Sequence, residues 1–193
     1  MCSRYSLSKK AIKMVKRDFP KLVDELSHDY PGKDVHPSEP AACLSFEADK
    51  LVMAEKVWGY PSFDSKLIIN ARGESVYGKP TFISGFRQKR IVLVADKFYE
   101  WDRRKEKHTI ERADSSVLYF AGIADNFDGR DHFVIITRAS DESTAYIHDR
   151  MPLILEKEDI YNWLSDYEKG LTLLNKKLPS LTSFKDFEQQ SLF

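Results

Sequence analysis

The chain has little cysteine, no excess of either charge and no long apolar run. Its 193 residues include two cysteines, Cys2 and Cys43, and 30 basic side chains balance 30 acidic ones. Two cysteines provide neither a disulfide framework nor a metal cluster, and the histidines lack the spacing of a zinc site. No apolar run approaches the roughly 18 residues of a membrane span, and no export signal opens the chain. We therefore expect a soluble cytoplasmic protein without metal or cofactor.

Charge neutrality also argues against a nucleic-acid-binding protein that relies on bulk charge. The charges are nevertheless unevenly distributed. Basic residues cluster at 9–17, 87–90 and 103–107, whereas 156–168 is rich in acids. Each cluster fits either a phosphate-binding face or an ordinary solvated face, and composition leaves both open.

The apolar pattern predicts one α+β domain. Leu7, Ala11, Met14 and Val15 have the spacing of an amphipathic helix that ends before Pro20, and 29–40 reads as an irregular loop. Predicted strands lie at 42–46, 51–58, 67–72, 91–95, 98–101, 117–123 and 133–137, and predicted helices at 80–88 and 157–164. Many strands with few helices favour a mainly antiparallel, barrel-like sheet with flanking helices. We expect the domain at 1–170, a tail at 171–193 and a monomeric protein.

Cys2 is the most informative residue. Initiator methionine is normally removed before a residue as small as cysteine, which would leave an α-amine and a thiol on adjacent carbons. With pKa values of about 7.7–8.0 and about 8.5, both groups are partly deprotonated near neutral pH. Such a pair traps an aldehyde as a five-membered thiazolidine. The alternative is a small residue buried by chance.

Asn70 and Arg72 fall on one face of a predicted strand, because side chains alternate along a strand. A carboxamide beside a guanidinium suits a sugar hydroxyl and a phosphate, the phosphate being held by the planar fork of arginine. The alternative is an asparagine in a turn and a surface arginine.

Glu100 lies between the aromatic residues Tyr99 and Trp101. In an apolar pocket the pKa of a glutamate rises, which makes it a general acid or base near neutral pH. The alternative is a solvent-facing glutamate on an edge strand.

His148 and Arg150 lie two residues apart, before an apolar strand at 153–155. The histidine would shuttle a proton or bind a substrate oxygen, and the arginine would bind a phosphate. Trp58 would stack on bases, although burial is the commoner fate of a single tryptophan.

Several motifs in a fixed order resemble the SOS-response-associated peptidase (SRAP) family. They are Met1-Cys2-x-Arg4, Trp58-Gly59, Asn70-Ala71-Arg72, Ala95-Asp96-x-Phe98-Tyr99-Glu100-Trp101, Ala121-Gly122-Ile123 and Ile147-His148-Asp149-Arg150-Met151-Pro152. The resemblance runs from residue 1 to about residue 165. It implies a protein of the DNA damage response that links its N-terminal cysteine to abasic sites in single-stranded DNA and so shields the lesion.

The same resemblance implies roles for individual residues. Cys2 is the nucleophile, Asn70 positions it and the sugar, Glu100 is the acid or base, and His148 assists sugar opening and adduct reversal. Arg4, Arg72 and Arg150 would bind phosphates, with Trp58 and Trp101 as aromatic contacts with DNA.

The chain departs from the family pattern at several positions. Asp34-Val35-His36-Pro37 replaces the usual Asn-Val-Ala-Pro, which would bring negative charge near the DNA and weaken affinity without altering the chemistry. Ser3, Val94 and Lys97 also differ from the common residues but remove no reactive group.

Two other functions fit the same residues. One is a cysteine-dependent peptidase or hydrolase in which Cys2 attacks an amide, and the other is a non-enzymatic adaptor that binds single-stranded DNA. In addition, Gln189, Leu192 and Phe193 resemble the peptide by which bacterial repair proteins bind the sliding clamp, with the apolar pair as anchor. The alternative is an apolar end that packs on its own domain.

Overall fold

A computed structural model describes residues 2–26, 32–64, 66–177 and 179–185, which form strands with a few short helices. The helices are α1 (Lys9–Asp18), α2 (Pro80–Gln88), α3 (Ile160–Ser165) and α4 (Tyr167–Leu173), with a 3₁₀ turn at Lys157–Asp159. The first strands are β1 (Tyr5–Leu7), β2 (Val23–Asp24), β3 (Lys33–Val35), β4 (Pro40–Glu47), β5 (Lys50–Trp58), β6 (Tyr60–Pro61), β7 (Leu67–Ile68) and β8 (Asn70–Arg72). The remaining strands are β9 (Arg90–Ala95), β10 (Lys97–Trp101), β11 (Lys107–Arg112), β12 (Leu118–Phe127), β13 (Arg130–Ala139), β14 (Arg150–Pro152), β15 (Ile154–Leu155) and β16 (Leu181–Lys185).

A closed barrel forms the centre of the fold. Its strands follow the order β13–β12–β9–β4–β5, and β5 returns to pair with β13, where Phe133 lies opposite Trp58. All of β9 is buried, because its second face is covered by α1, α2 and α3. An apolar run without alternation is what burial on both faces of a strand requires.

A second sheet lies against the barrel in the strand order β16–β11–β10–β1–β3. Its inner face carries Tyr5, Phe98 and Ile110, which lie opposite one another across the three central strands and are buried. The rings of Tyr5 and Phe98 pack on Phe120 of the barrel strand β12. This contact fixes the position of the chain start, which precedes β1, relative to the barrel.

The predicted fold class is confirmed, and most predicted elements are present. The helix before Pro20 is α1, which Ser8 caps by accepting a hydrogen bond from the N–H of Ala11. The helix predicted at 80–88 has those bounds. The loop predicted at 29–40 is wrong in part, because β3 pairs with β1 and β4 begins at Pro40.

The strand predicted at 67–72 is divided into β7 and β8. Ile69 lies between them, and its carbonyl accepts hydrogen bonds from the Trp58 indole (2.9 Å) and from the N–H of Ile135 (3.2 Å). The chain therefore changes partner at Ile69, from β6 to β13. That change aligns Asn70 with the barrel strand.

The predicted tail at 171–193 begins inside α4. Leu173 and Leu174 are buried, and β16 pairs with β11 along its whole length. The described part of that segment therefore packs on the domain. No helix among the described residues is both long and apolar enough to span a membrane.

Candidate active site

The Asn70 side chain holds the start of the chain. Its Nδ2 donates a hydrogen bond of 2.9 Å to the carbonyl oxygen of Cys2. Asn70 is placed by β8, which pairs in parallel with β13 so that Asn70 lies opposite Ile135. The amide oxygen Oδ1 of Asn70 is buried and has no hydrogen-bond partner among the described residues. Because a buried acceptor without a donor is costly, this oxygen is suited to a donor brought by a substrate.

The Cys2 thiol is fully buried, with 0% of the residue exposed. Burial raises the pKa of this thiol well above its usual range, and the nearby charge of Glu100 raises it further. The Sγ atom lies 3.9 Å from the carbonyl oxygen of Arg4. A thiol with a raised pKa stays protonated at neutral pH, so a base must remove its proton before it can act as a nucleophile.

Glu100 is in position to be that base. It lies on β10, 4% of its surface is exposed, and burial raises the pKa of its carboxyl group. A positive charge on His148 acts in the opposite direction and lowers the pKa of Glu100. The structure thus brings together Cys2, Asn70, Glu100 and His148, the residues predicted from the sequence to be catalytic.

His148 is half-buried at the end of the segment that leads into β14. Its Nδ1 accepts a hydrogen bond of 3.0 Å from the N–H of Arg150, which places the proton of the neutral ring on Nε2. The same Nδ1 lies 2.9 Å from Oδ1 of Asp149. His148 therefore has a backbone N–H and a carboxylate oxygen within hydrogen-bond distance of Nδ1.

An open cleft of about 680 Å³ lies beside His148. Its lining residues are Trp101, Asp102, Arg103, Ala145, Tyr146, Ile147, His148 and Asp149. Trp101 is 37% exposed, so its ring is available to a ligand in this cleft. The contact of Trp101 with DNA stays a prediction.

The predicted contact of Trp58 with DNA is wrong, because Trp58 is buried. It is 0% exposed, its indole donates to the Ile69 carbonyl, and its ring stacks on Phe133 with a centroid distance of 6.1 Å. A ring enclosed on all sides cannot stack on a base. Trp58 instead stabilises the chain segment that leads to Asn70.

Arg150, predicted to bind a phosphate, already has protein partners. Its Nη1 and Nη2 donate to the two carboxylate oxygens of Glu74 at 2.6 and 2.9 Å, and Nη2 also donates to the carbonyl oxygen of Thr137 at 2.7 Å. The hydrogen bonds from Arg150 lower the pKa of Glu74 to about 2. Arg150 therefore connects β14, β13 and the turn after β8, and a phosphate would have to displace Glu74.

Arg4 has a similar arrangement. Its Nε donates to Oδ2 of Asp34 at 2.9 Å, and its Nη2 contacts the same oxygen more closely. By contrast, Arg72 is exposed at the end of β8. Of the three arginines predicted to bind phosphate, Arg72 has the most accessible side chain.

Phe63 is an exposed aromatic residue that the sequence analysis did not consider. This residue lies in the turn between β6 and β7, and its side chain is fully exposed. The same turn precedes β7 and β8 and thus Asn70. The sequence signal was a single aromatic residue in an otherwise polar turn, Ser62-Phe63-Asp64.

Asp102, Glu106 and His108 form a group that could hold a metal ion, because one ligand atom from each lies within 4.8 Å of the others. Their present contacts are with protein. Asp102 accepts hydrogen bonds from the N–H groups of Arg104 and Glu106 and lies 3.2 Å from Nε2 of His108, while Lys185 pairs with Glu106. These contacts close the turn between β10 and β11.

The family model described as SOS response associated peptidase (SRAP) matches residues 1–188 of the chain. The chain belongs to the SRAP family. The family prediction made from the ordered motifs is thus confirmed.

Named relatives agree with this assignment. The abasic site processing protein YedK of Escherichia coli is 28% identical over 187 residues, covering 88% of this chain and 82% of YedK. The abasic site processing protein YoqW of Bacillus subtilis is 29% identical over 188 residues, covering 86% of this chain and 80% of YoqW. A crystal structure of a protein from Bordetella bronchiseptica superposes with a TM-score of 0.80 at 21% identity, covering 96% of this chain and 99% of that one.

The residues predicted to bind a sliding clamp, Gln189, Leu192 and Phe193, lie outside the described residues. Clamp binding therefore stays a prediction from the sequence. The last described strand, β16, ends at Lys185 on an edge of the second sheet.

Proposed function

We propose that this SRAP protein captures abasic sites in single-stranded DNA through a covalent thiazolidine link to Cys2. The observation that carries the proposal is the convergence on Cys2 of Asn70, which holds its carbonyl, and of the buried carboxyl group of Glu100. The names of the relatives YedK and YoqW, both abasic site processing proteins, support the class of substrate.

The chemistry begins with removal of Met1, which makes the nitrogen of Cys2 a primary amine. This amine adds to the aldehyde of the ring-opened deoxyribose, and the resulting carbinolamine loses one water molecule to give an imine. The thiol then adds across the C=N bond: sulfur bonds to the former aldehyde carbon, and a proton ends on the nitrogen. Overall one water molecule is released, and no oxidant or reductant is needed.

Each step after amine addition needs a proton donor or acceptor. Glu100, with its raised pKa, supplies the proton that leaves with water and then accepts the thiol proton. His148 donates from Nε2 to the sugar oxygen as the ring opens, because its Nδ1 is occupied by the N–H of Arg150. The unpaired Oδ1 of Asn70 accepts a hydrogen bond from a sugar hydroxyl or from the amine.

The strand around the lesion is held by contacts that do not read its bases. Arg72 contacts a phosphate, while the exposed rings of Trp101 and Phe63 stack on neighbouring bases. Phosphate contact and stacking are available to any sequence, so binding is expected to be insensitive to sequence.

A cysteine hydrolase is the second candidate, and it is favoured by one observation, the proximity of Glu100 to the Cys2 thiol. The two functions differ in their need for the α-amine. Thiazolidine formation needs it, whereas hydrolysis by the thiol does not. A non-enzymatic DNA-binding adaptor would need neither group.

The first prediction is that Cys2 forms a denaturation-resistant link to an abasic strand. Purified protein is incubated with a single-stranded oligonucleotide carrying one uracil that has been excised, and products are separated on a denaturing gel. We expect an adduct with the wild-type protein and none with Cys2→Ala or with a chain that keeps an uncleaved extension before Cys2. Mass spectrometry should show the protein without Met1, joined to DNA with loss of one water molecule.

Two controls separate the candidates. The same oligonucleotide without uracil should give no adduct. Adduct at the wild-type level from Cys2→Ala would exclude the thiazolidine, and adduct from the extended chain would exclude the role of the amine. Binding of DNA without any adduct would favour the adaptor.

A further inference from the structure

Arg4 and Tyr99 both hydrogen-bond the carboxylate of Asp34 on the outer face of the second sheet. The guanidinium of Arg4 donates from Nε and Nη2 to Oδ2 of Asp34, and the Tyr99 hydroxyl donates to Oδ1 at 3.1 Å. Donors from two separate parts of the chain thus hold both oxygens of one carboxylate. Arg4 lies just before β1, and Tyr99 lies in β10.

Further positive charge surrounds the Tyr99 ring. The Nζ of Lys107 lies 4.2 Å from the ring centroid, the Nζ of Lys97 lies 6.0 Å from it, and the guanidinium carbon of Arg4 lies 5.0 Å from it. Among the ion pairs of the described residues, Arg4 is the one of these three cations that contacts Asp34. Three cationic side chains therefore lie around the Tyr99 ring.

Asp34 remains ionised in this setting. Partial burial acts to raise its pKa, but the hydrogen bonds from Arg4 and Tyr99 outweigh burial and hold the pKa of Asp34 below its usual range. The side chains of Arg4 and Asp34 are 32% and 26% exposed, so solvent and a ligand can reach the pair.

The chemistry of this site matches a phosphodiester. An arginine fork and a hydroxyl donor suit the non-bridging oxygens of a phosphate as well as they suit a carboxylate, and nearby lysines add attraction for the phosphate charge. Arg4 also lies two residues from Cys2, so a phosphate held here belongs to a nucleotide close to the captured sugar.

We propose that Arg4 and Tyr99 form a binding site for a backbone phosphate and that the Asp34 carboxylate occupies this site until a strand displaces it. The inference rests on the proposed function for the identity of the strand. Asp34 then acts as an internal competitor that weakens binding to undamaged single strands. At a lesion the covalent link makes up for the weak contact, so the competition favours abasic DNA over intact DNA.

The test measures reversible binding, separately from adduct formation. Fluorescence anisotropy with an undamaged single-stranded oligonucleotide, over a range of salt concentrations, compares the wild-type protein with Asp34→Asn and Asp34→Ala. Each added phosphate contact on a single strand steepens the plot of log K against log salt by about 0.7. At 0.1 M salt this corresponds to binding about fivefold tighter than that of a protein without the contact. We expect both variants to show this gain.

Two comparisons make the gain specific. Glu55→Gln removes the same charge from an exposed position on the barrel strand β5 and should give little gain. In an Arg4→Ala background, Asp34→Asn should give no gain at all. Thermal unfolding checks that each variant is folded.

Unchanged or weaker binding by both Asp34 variants would overturn the inference, since Asp34 would then orient Arg4 for DNA or have no effect. An equal gain from Glu55→Gln, or a gain that survives Arg4→Ala, would also overturn it. The proposed function is judged separately by the adduct on abasic DNA. An adduct without the Asp34 effect leaves that function standing, and the Asp34 effect without an adduct leaves the phosphate site standing.

Discussion

At the scale of single residues, the site combines a thiol and a carboxyl group that both keep their protons to a higher pH than usual. Burial raises the pKa of Cys2 and of Glu100, so both groups resist ionisation in the same pocket. A pair of this kind favours proton transfer over permanent charge. It fits a reaction in which protons must move between amine, thiol and a leaving water molecule.

Replacing Glu100 by Gln should slow adduct formation by about 10²–10⁴-fold, because general acid–base catalysis typically contributes that much. The measurement is the single-turnover rate of adduct formation on an abasic strand. Reversible binding to intact DNA should be unchanged. An unaltered rate would show that another group moves the proton.

Stability provides the control for the same variant. A carboxyl group whose pKa is raised in the folded state adds stability below its unfolded pKa of about 4.3, and this stability is lost as the pH rises through the folded pKa. At pH 7 the raised pKa of Glu100 is therefore a cost to folding, and Glu100→Gln should melt at the same temperature as wild type or higher. A lower melting temperature would mean that the slow rate reflects damage to the fold.

At the scale of elements, close packing between helix α2 and strand β12 supports the barrel. Gly85 lies on the buried face of α2, where a Cβ atom would be 2.7 Å from the carbonyl oxygen of Ala124 and 3.1 Å from the Tyr60 hydroxyl. The first distance is too short for any Cβ contact with backbone. The glycine therefore permits the helix to approach the sheet.

Gly85→Ala should destabilise the protein. Overpacking typically costs about 1–3 kcal/mol, and alanine regains roughly 1 kcal/mol in helix propensity, so we expect a net loss of about 1 kcal/mol. Gly78→Ala is the matched control, because a Cβ there meets nothing within 4 Å. Denaturant unfolding of both variants checks the prediction, and equal stabilities would contradict the close approach.

At the scale of the whole molecule, charge neutrality limits non-covalent binding to DNA. Arg4 and Arg150 are paired with Asp34 and Glu74, which leaves Arg72 as the accessible member of the three. Few phosphate contacts mean a weak dependence of affinity on salt. Under the proposed function, the covalent link and not bulk attraction is the source of durable binding.

Arg72→Ala should weaken binding to intact single strands by about fivefold at 0.1 M salt and reduce the salt slope by about 0.7. Arg130→Ala is the matched control. Arg130 is exposed at the start of β13, whereas Arg72 lies opposite Thr137, near the other end of β13. Equal losses from the two variants would show that binding depends on overall charge and not on this site.

The sequence by itself determined the elements and the reactive groups. The apolar runs of β4, β5 and β9 and the spacing in α1 depend on neighbours within a few residues, so they could be read directly. The sequence also supplied the candidate catalytic residues, because they lie in short motifs whose order identified the family.

Only the tertiary structure decided which of these side chains are free to act. Trp58 is enclosed by Phe133 and Tyr5, and Arg4 is paired with Asp34, a residue 30 positions away in a segment predicted to be a loop. Both outcomes depend on pairings between distant strands, β5 with β13 and β1 with β3. A local pattern records whether a side chain is apolar or charged, but its partner is set by strand register across the whole fold.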